Sequence, residues 1–290
     1  MGILSRRKFL SGSALTGGAA ALFGIGTAHA ASGEENTLER ISKSGELKMV
    51  YPVWPPTVIK DPKGTELTGH FVEAGRALAE EMKVKAVFVE GNWATWISSL
   101  QAGQADISIG ATYATTLRAQ SVGFTEPIIY LGTAVTLVPK LAGEYKSVND
   151  LDREDITVVG VDGGSTLQYI QRTFKKAKIN VLAAGTDAIR GYMELLAGRA
   201  DMFFDDDYVQ RRVMAEHPGK LVSMFDKPVQ MSSVCWAVRR GDQELLNMLR
   251  VSLRNMVDDG RMAKWEKDVG ADWVHPVPNY INTNEMITIA

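Results

Sequence analysis

One short string occurs twice in the chain and constrains its fold more than any other feature. Leu100-Gln101-Ala102-Gly103-Gln104-Ala105-Asp106 and Leu195-Leu196-Ala197-Gly198-Arg199-Ala200-Asp201 share the pattern L-x-A-G-x-A-D. In each copy the leading residues read as the end of a helix, and the glycine suits the left-handed position just beyond it. The apolar residues after the aspartate, Ile107 and Ile109 in one copy and Met202, Phe203 and Phe204 in the other, suit a buried parallel strand. The same helix-to-strand device in two α/β stretches predicts two lobes of similar construction.

The flanking pattern agrees. Leu47–Tyr51 and Val84–Val89 read as strands, and between them Phe71, Ala74, Leu78 and Met82 recur at helical spacing. A second run opens at Ile156-Thr157-Val158-Val159-Gly160-Val161, a strand rich in β-branched residues. It leads through Gly163-Gly164-Ser165-Thr166 into a helix expected to reach Phe174. Residues 137–154, with Gly143, Asn149 and Asp150, separate the two runs. Further on, Leu245, Leu249, Leu253 and Met256 share one helix face that Gly260 is expected to stop. The tail after Trp273, with Pro276 and Pro278, reads as irregular surface chain.

The first thirty residues stand apart. Ser5-Arg6-Arg7-Lys8-Phe9-Leu10 precedes an apolar Gly/Ala-rich stretch ending in Ala28-His29-Ala30, the pattern of an export leader cleaved after Ala30. The adjacent arginines read as a twin-arginine address, and Gly17, Gly18, Gly24 and Gly26 interrupt an apolar run that is short for a bilayer span. Without Arg6, Arg7 and Lys8 the chain holds 29 Lys and Arg against 34 Asp and Glu, a formal charge of −5 that argues against a nucleic-acid partner. The single cysteine, Cys235, excludes an internal disulfide and reads as a small buried side chain. The histidines left after cleavage, His70, His217 and His275, do not fall at metal-ligand spacing. Neighbours in Asp205-Asp206-Asp207 point to opposite faces of a strand, so neither a metal nor another cofactor is expected.

Several further segments fall in a definite order. They are Trp54-Pro55-Pro56, Asn92-Trp93 ahead of a helix ending in Leu100, Asp106 to Arg118 followed by Phe124-Thr125-Glu126-Pro127, Gly164-Ser165-Thr166, and Gly198-Arg199-Ala200-Asp201 through Asp206. In that order and spacing the chain, from Gly45 to Gly270, resembles the periplasmic amino-acid-binding proteins of solute-binding family 3, the group that includes glutamine and lysine/arginine/ornithine binders. The resemblance implies an α/β, two-lobed type II periplasmic-binding-protein fold, each lobe a mixed, mostly parallel sheet flanked by helices, with two hinge strands. It also implies a periplasmic monomer that takes a small amino-acid-like ligand for an ABC permease in the inner membrane, without catalysis. Two alternatives stay open: an enzyme on the same scaffold, like the cyclohexadienyl dehydratases, and a ligand-loaded partner of a membrane receptor or dehydrogenase.

A carboxylate in a cleft needs a fixed, always-charged donor able to hold both oxygens. Arg118, in Thr115-Thr116-Leu117-Arg118, matches the family's T-x-x-R arginine that does this, although a solvated arginine is the commoner fate on composition alone. Ser165 and Thr166 lie between a strand and a helix, where a hydroxyl caps the helix and open N–H groups favour an anion; the resemblance adds them to the carboxylate grip. Asp206, five residues after Asp201, matches the acid that takes a ligand's α-ammonium. Trp54 and Trp93 match two aromatic residues that sandwich the ligand side chain, against core packing as the ordinary fate of tryptophan. The resemblance also carries Ala111 and Tyr113 into the site.

Two departures bear on the ligand. Tyr113 stands where many members have Ser or Thr, and Tyr51 where some basic-amino-acid binders have an acid. Both are expected to make the pocket more aromatic, which argues against a dibasic ligand and leaves a neutral, aromatic or N-alkylated amino acid, or another zwitterion. The expected mechanism is a hinged clamp. Residues 31–131 with 231–290 form a first, discontinuous lobe carrying Arg118 and the tryptophans, and residues 132–230 form a second lobe carrying Ser165, Thr166 and Asp206. The crossings are placed near Leu131–Ala134 and Val229–Ser232.

Overall fold

The computed structural model describes residues 36–271, apart from 62, 64, 65, 185 and 187, together with 275–276. The proposed leader and its twin arginines lie outside the described residues. Both copies of the repeated string fold alike. Gly103 and Gly198 take left-handed φ values of 67° and 70°, where an L side chain would be strained. The aspartate that closes each copy is buried and exchanges two hydrogen bonds with the neighbouring strand. Asp106 N donates to the Lys48 carbonyl at 2.8 Å and its Oδ2 accepts from Lys48 N at 2.9 Å. Asp201 does the same with Thr157, at 2.8 and 2.9 Å. A cation covers each acid from outside, Arg40 on Asp106 and Lys140 on Asp201.

These anchors register two similar α/β units. The first begins with α1 (Thr37–Ser44), capped by the Asn36 side chain and ended at left-handed Gly45. It continues through β1 (Glu46–Tyr51), the short hairpin β2 (Ile59–Lys60) and β3 (Leu67–Thr68), α2 (His70–Glu81), β4 (Lys85–Glu90), α3 (Trp96–Gln101) and β5 (Ile107–Tyr113). Next come α4 (Thr116–Ala119), β6 (Val122–Phe124) and the long β7 (Ile129–Leu137). Short 3-10 turns at Pro139–Leu141 and Val148–Leu151 occupy the stretch that separates the two units.

The second unit comprises β8 (Thr157–Val161), α5 (Ser165–Thr173), β9 (Lys178–Leu182), α6 (Ala188–Leu196), β10 (Met202–Asp206), α7 (Asp207–Glu216) and β11 (Val222–Ser223). The chain then returns through β12 (Gln230–Arg239), α8 (Gln243–Asp258), α9 (Arg261–Asp268) and β13 (His275–Pro276). Strand and helix bounds fall within a residue or so of the sequence reading; α5 ends at Thr173 with Phe174 as its cap. Gly260, at φ 83°, separates α8 from α9 as expected. The tail differs from expectation, because His275 and Pro276 pair antiparallel with Tyr130 and Ile129 of β7. A two-residue pairing leaves no periodicity for the sequence to show.

Strand order makes the likeness of the units concrete. In the first, β1 lies between β4 and β5, parallel to both; in the second, β8 lies between β9 and β10, parallel to both. An antiparallel strand flanks each trio, β12 beside β5 and β7 beside β10. β7 and β12 also pair with each other, Gln230 opposite Thr133 through Val234 opposite Ile129, and so join the trios. The apolar cores stay separate. One gathers Met49, Phe71, Ile107, Trp236 and Leu249, and another Val50, Trp96 and Leu100, all from the first unit and the returning chain. The second unit is filled by Val158, Ile170 and Phe204 on one face and by Tyr192, Phe203 and Val213 on the other. Cys235 is buried, with its thiol pushed up to about 12 by burial, as the small-side-chain reading requires.

Candidate functional site

Parallel strands of an open sheet present their C-terminal ends on one side, and ligands collect in the crevice outside those ends. Here the chain leaving β1 (Pro52 to Pro55), the end of β4 (Glu90 to Trp93), the end of β5, the turn after β8 and the end of β10 all line one cavity of about 360 Å³. Both trios therefore aim their functional ends at the same space.

All eight residues singled out from the sequence line it: Trp54, Trp93, Ala111, Tyr113 and Arg118 from the first unit, and Ser165, Thr166 and Asp206 from the second. Tyr51 does not. It is buried in the first core, its ring 6.5 Å from that of Phe88 and nearly perpendicular to it. Alternation explains the difference: Tyr51 still belongs to β1 and points to its core face, whereas Trp54 lies beyond the strand end. The cavity also takes in Glu90, Asp162, Phe203, Asp205 and Arg212, which the sequence reading missed. The signal that finds Glu90 and Asp205 is their place at the C-terminal ends of β4 and β10.

Local chemistry fixes each group. Thr115 is the N-cap of α4, and its hydroxyl accepts from the backbone N–H of Arg118 at 3.3 Å. The T-x-x-R pattern is thus a capped turn that sets the arginine at its third helical position. The guanidinium donates from Nη1 to the Tyr113 carbonyl at 3.0 Å and from Nη2 to the Gly163 carbonyl of the second unit at 3.2 Å. It also lies 5.8 Å from the Trp96 ring. No carboxylate of the described residues pairs with it, and burial pulls its pKa down from the usual arginine value. With two of five N–H donors engaged, three remain for a guest.

Asn92 orders the turn that carries Trp93, its Oδ1 accepting from the N–H groups of Ala94 and Thr95 at 2.9 and 3.0 Å. Trp54 is held by paired backbone hydrogen bonds with Val58, both 3.0 Å. Its ring approaches Tyr208 of α7 to 6.3 Å, another contact between the units. Ser165 and Thr166 do not cap α5 as expected. Gly164 occupies the N-cap and offers no side chain, so both residues belong to the first turn. The open N–H groups of that turn are the feature that suits an anion.

Asp206 ends β10 and precedes α7, yet its carboxylate turns away from the helix and accepts from the Tyr113 hydroxyl across the cleft. Burial raises Asp206 to about 7; the phenol's hydrogen bond works against the rise and Asp207 adds to it. The Tyr113 hydroxyl is held well above its ordinary value by burial first and by Asp206 next, so it remains a donor. The next acid along, Asp205, interacts instead with Tyr192 of α6. The cavity thus carries a positive end at Arg118 and an acidic end at Asp206, with aromatic rings from the first unit along its wall.

Comparison with known proteins places this architecture. Residues 47–270 match the family described as bacterial extracellular solute-binding proteins, family 3. The chain is 29% identical over 222 residues to the L-arginine-binding protein of Pseudomonas aeruginosa, covering 72% of this chain and 81% of that one. A lysine complex of a putative ABC-transporter binding component from Wolinella succinogenes superposes with a TM-score of 0.70 at 30% identity, over 79% of this chain and 97% of that one. An ancestral amino acid-binding protein, described as a precursor of cyclohexadienyl dehydratase, gives 0.70 at 29% identity over 81% and 99%. The fold is the two-lobed type II periplasmic-binding-protein fold, its lobes built on the two strand trios and joined by β7 and β12. The chain belongs to the bacterial extracellular solute-binding proteins of family 3.

Proposed function

We propose that the protein captures a small amino-acid-like zwitterion between its lobes and delivers it to an ABC permease in the inner membrane. One observation carries this reading: a half-buried guanidinium without a carboxylate partner among the described residues, and a half-buried carboxylate, line one cavity from opposite lobes. A guest carboxylate completes Arg118 and meets the first turn of α5, while its cationic nitrogen faces Asp206. A relative named for L-arginine binding, another named for glutamine binding and a neighbour holding lysine support an amino acid as the guest. The export leader supports the periplasm as the place and the twin-arginine route as the path. The binding names of the relatives support capture without turnover.

The guest drives closure because it touches both lobes. Thr133, where β7 passes from pairing β12 to pairing β10, marks one hinge and Gln230, its partner on β12, the other. Residues 31–131 with 231–290 then move against 132–230. Calorimetry on residues 31–290 with a panel of amino acids tests the reading. Arg118→Ala is expected to cost several kcal/mol of affinity, about what losing one partner of a desolvated charge pair costs. Undiminished binding by that variant removes Arg118 from the site, and product formed from prephenate or arogenate overturns the non-enzymatic reading.

A further inference from the structure

The acidic end of the cavity is already partly occupied by the protein itself, and this has a bearing on which guest fits. Resting on the reading that Arg118 holds a carboxylate, we propose that Tyr113 makes the site select zwitterions with an N-alkylated cationic nitrogen over those with a primary ammonium. Tyr113 donates its hydroxyl to Oδ1 of Asp206, so part of the carboxylate's acceptor capacity is taken by a lobe-to-lobe hydrogen bond. Ala111, two residues back on the same face of β5, lines the cavity with a methyl group and no acceptor. Asp205 lies one residue before Asp206 on β10, and its charge acts on the buried Tyr192 hydroxyl. Beside Tyr113 a guest nitrogen meets the Asp206 carboxylate and the phenol oxygen that already bonds to it.

A primary ammonium brings three strongly hydrated N–H donors, and a buried donor without an acceptor carries its full desolvation cost. A secondary ammonium brings two, so it leaves fewer donors to be satisfied beside an acid already engaged by Tyr113. Its alkyl group spreads the cation's surface toward apolar neighbours, and a lining that includes the aromatic residues Tyr113, Trp54 and Trp93 suits such a cation. Asp206 still supplies the opposite charge. Tyr113 therefore sets specificity by two routes, occupying an acceptor and adding an aromatic wall where a hydroxyl-bearing small side chain would leave both acid oxygens open.

The test uses matched pairs, each an L-amino acid and its N-methyl form, drawn from alanine, valine, phenylalanine and glutamine. They are titrated calorimetrically into residues 31–290 and into the Tyr113→Phe, Tyr113→Ser and Arg118→Ala variants, with circular dichroism to confirm folding. For the pair that binds tightest, the N-methyl member is expected to bind the wild type at least about tenfold more tightly than its parent. Tyr113→Phe, which keeps the ring and frees Oδ1, is expected to narrow the gap, and Tyr113→Ser to reverse it. Arg118-dependent binding without an N-methyl preference overturns this inference and leaves the carboxylate reading standing, as does a preference that survives both Tyr113 changes. Binding unaffected by Arg118→Ala, or no binding by any pair, overturns the reading and the inference together.

Discussion

Asp206 is the residue whose charge state decides what the cavity offers. A guest cation needs the carboxylate ionised, and burial holds that ionisation near pH 7 in the free protein. Affinity for a zwitterion is therefore expected to be full above pH 8 and to weaken as pH falls through 7, by on the order of tenfold per pH unit below it. Asp206→Asn is expected to flatten this dependence at a lower affinity throughout; calorimetry between pH 5.5 and 8.5 checks both, and a wild-type affinity independent of pH counts against ionised Asp206 as the cation's partner. The positions of the site residues were legible because each lies in a short local pattern, such as the capped turn that carries Arg118. Their engagements were not. Tyr113 and Asp206 meet across 93 positions of sequence, and the Gly163 carbonyl reaches Arg118 across 45, so folding alone creates those bonds. Tyr51 was misassigned because a strand end separates it from Trp54, and a misplacement of one or two residues there exchanges core for cavity.

At the level of elements, periodicity and punctuation carried the reading. Buried strands bounded by glycine turns, and helices with one apolar face, declared themselves, and the repeated string located two equivalent strand starts. What stayed hidden were pairings with no period of their own, as in β13, and close approaches that depend on a partner from another element. Gly191 of α6 is such a case. A Cβ there would lie 2.4 Å from the ring of Phe203 on β10, a residue that also lines the cavity. Gly191→Ala is expected to destabilise the protein by about 1–3 kcal/mol, the usual cost of overpacking a well-filled core. Because Phe203 also lines the cavity, guest affinity should fall as well. Denaturant unfolding paired with calorimetry checks this, and an unchanged unfolding midpoint would show that α6 has room to yield.

For the whole molecule, three contacts already span the lobes through residues of the cavity: Tyr113 to Asp206, Arg118 to the Gly163 carbonyl, and Trp54 to Tyr208. A guest that binds this arrangement and not the unfolded chain stabilises it by mass action. At a free concentration of a hundredfold Kd the gain is about 2.7 kcal/mol, read as a rise in Tm that Arg118→Ala should abolish. A guest that binds by calorimetry and leaves Tm unchanged would mean it also binds the unfolded chain. The lobe architecture was legible in the repeat, but the identity of the joining strands was not. β7 and β12 are ordinary apolar strands in composition, and only their shared pairing from Ile129–Thr133 to Gln230–Val234 reveals what they join.

That threading also fixes an order of birth. The second trio and β7 lie in one unbroken stretch, whereas the first waits for β12, α8 and α9, which leave the ribosome after that stretch. A nascent chain released as far as residue 229 has every strand of the later lobe and an unfinished earlier one. Its β5 edge stays uncovered until β12 emerges, the interval in which such a chain is most open to wrong partners.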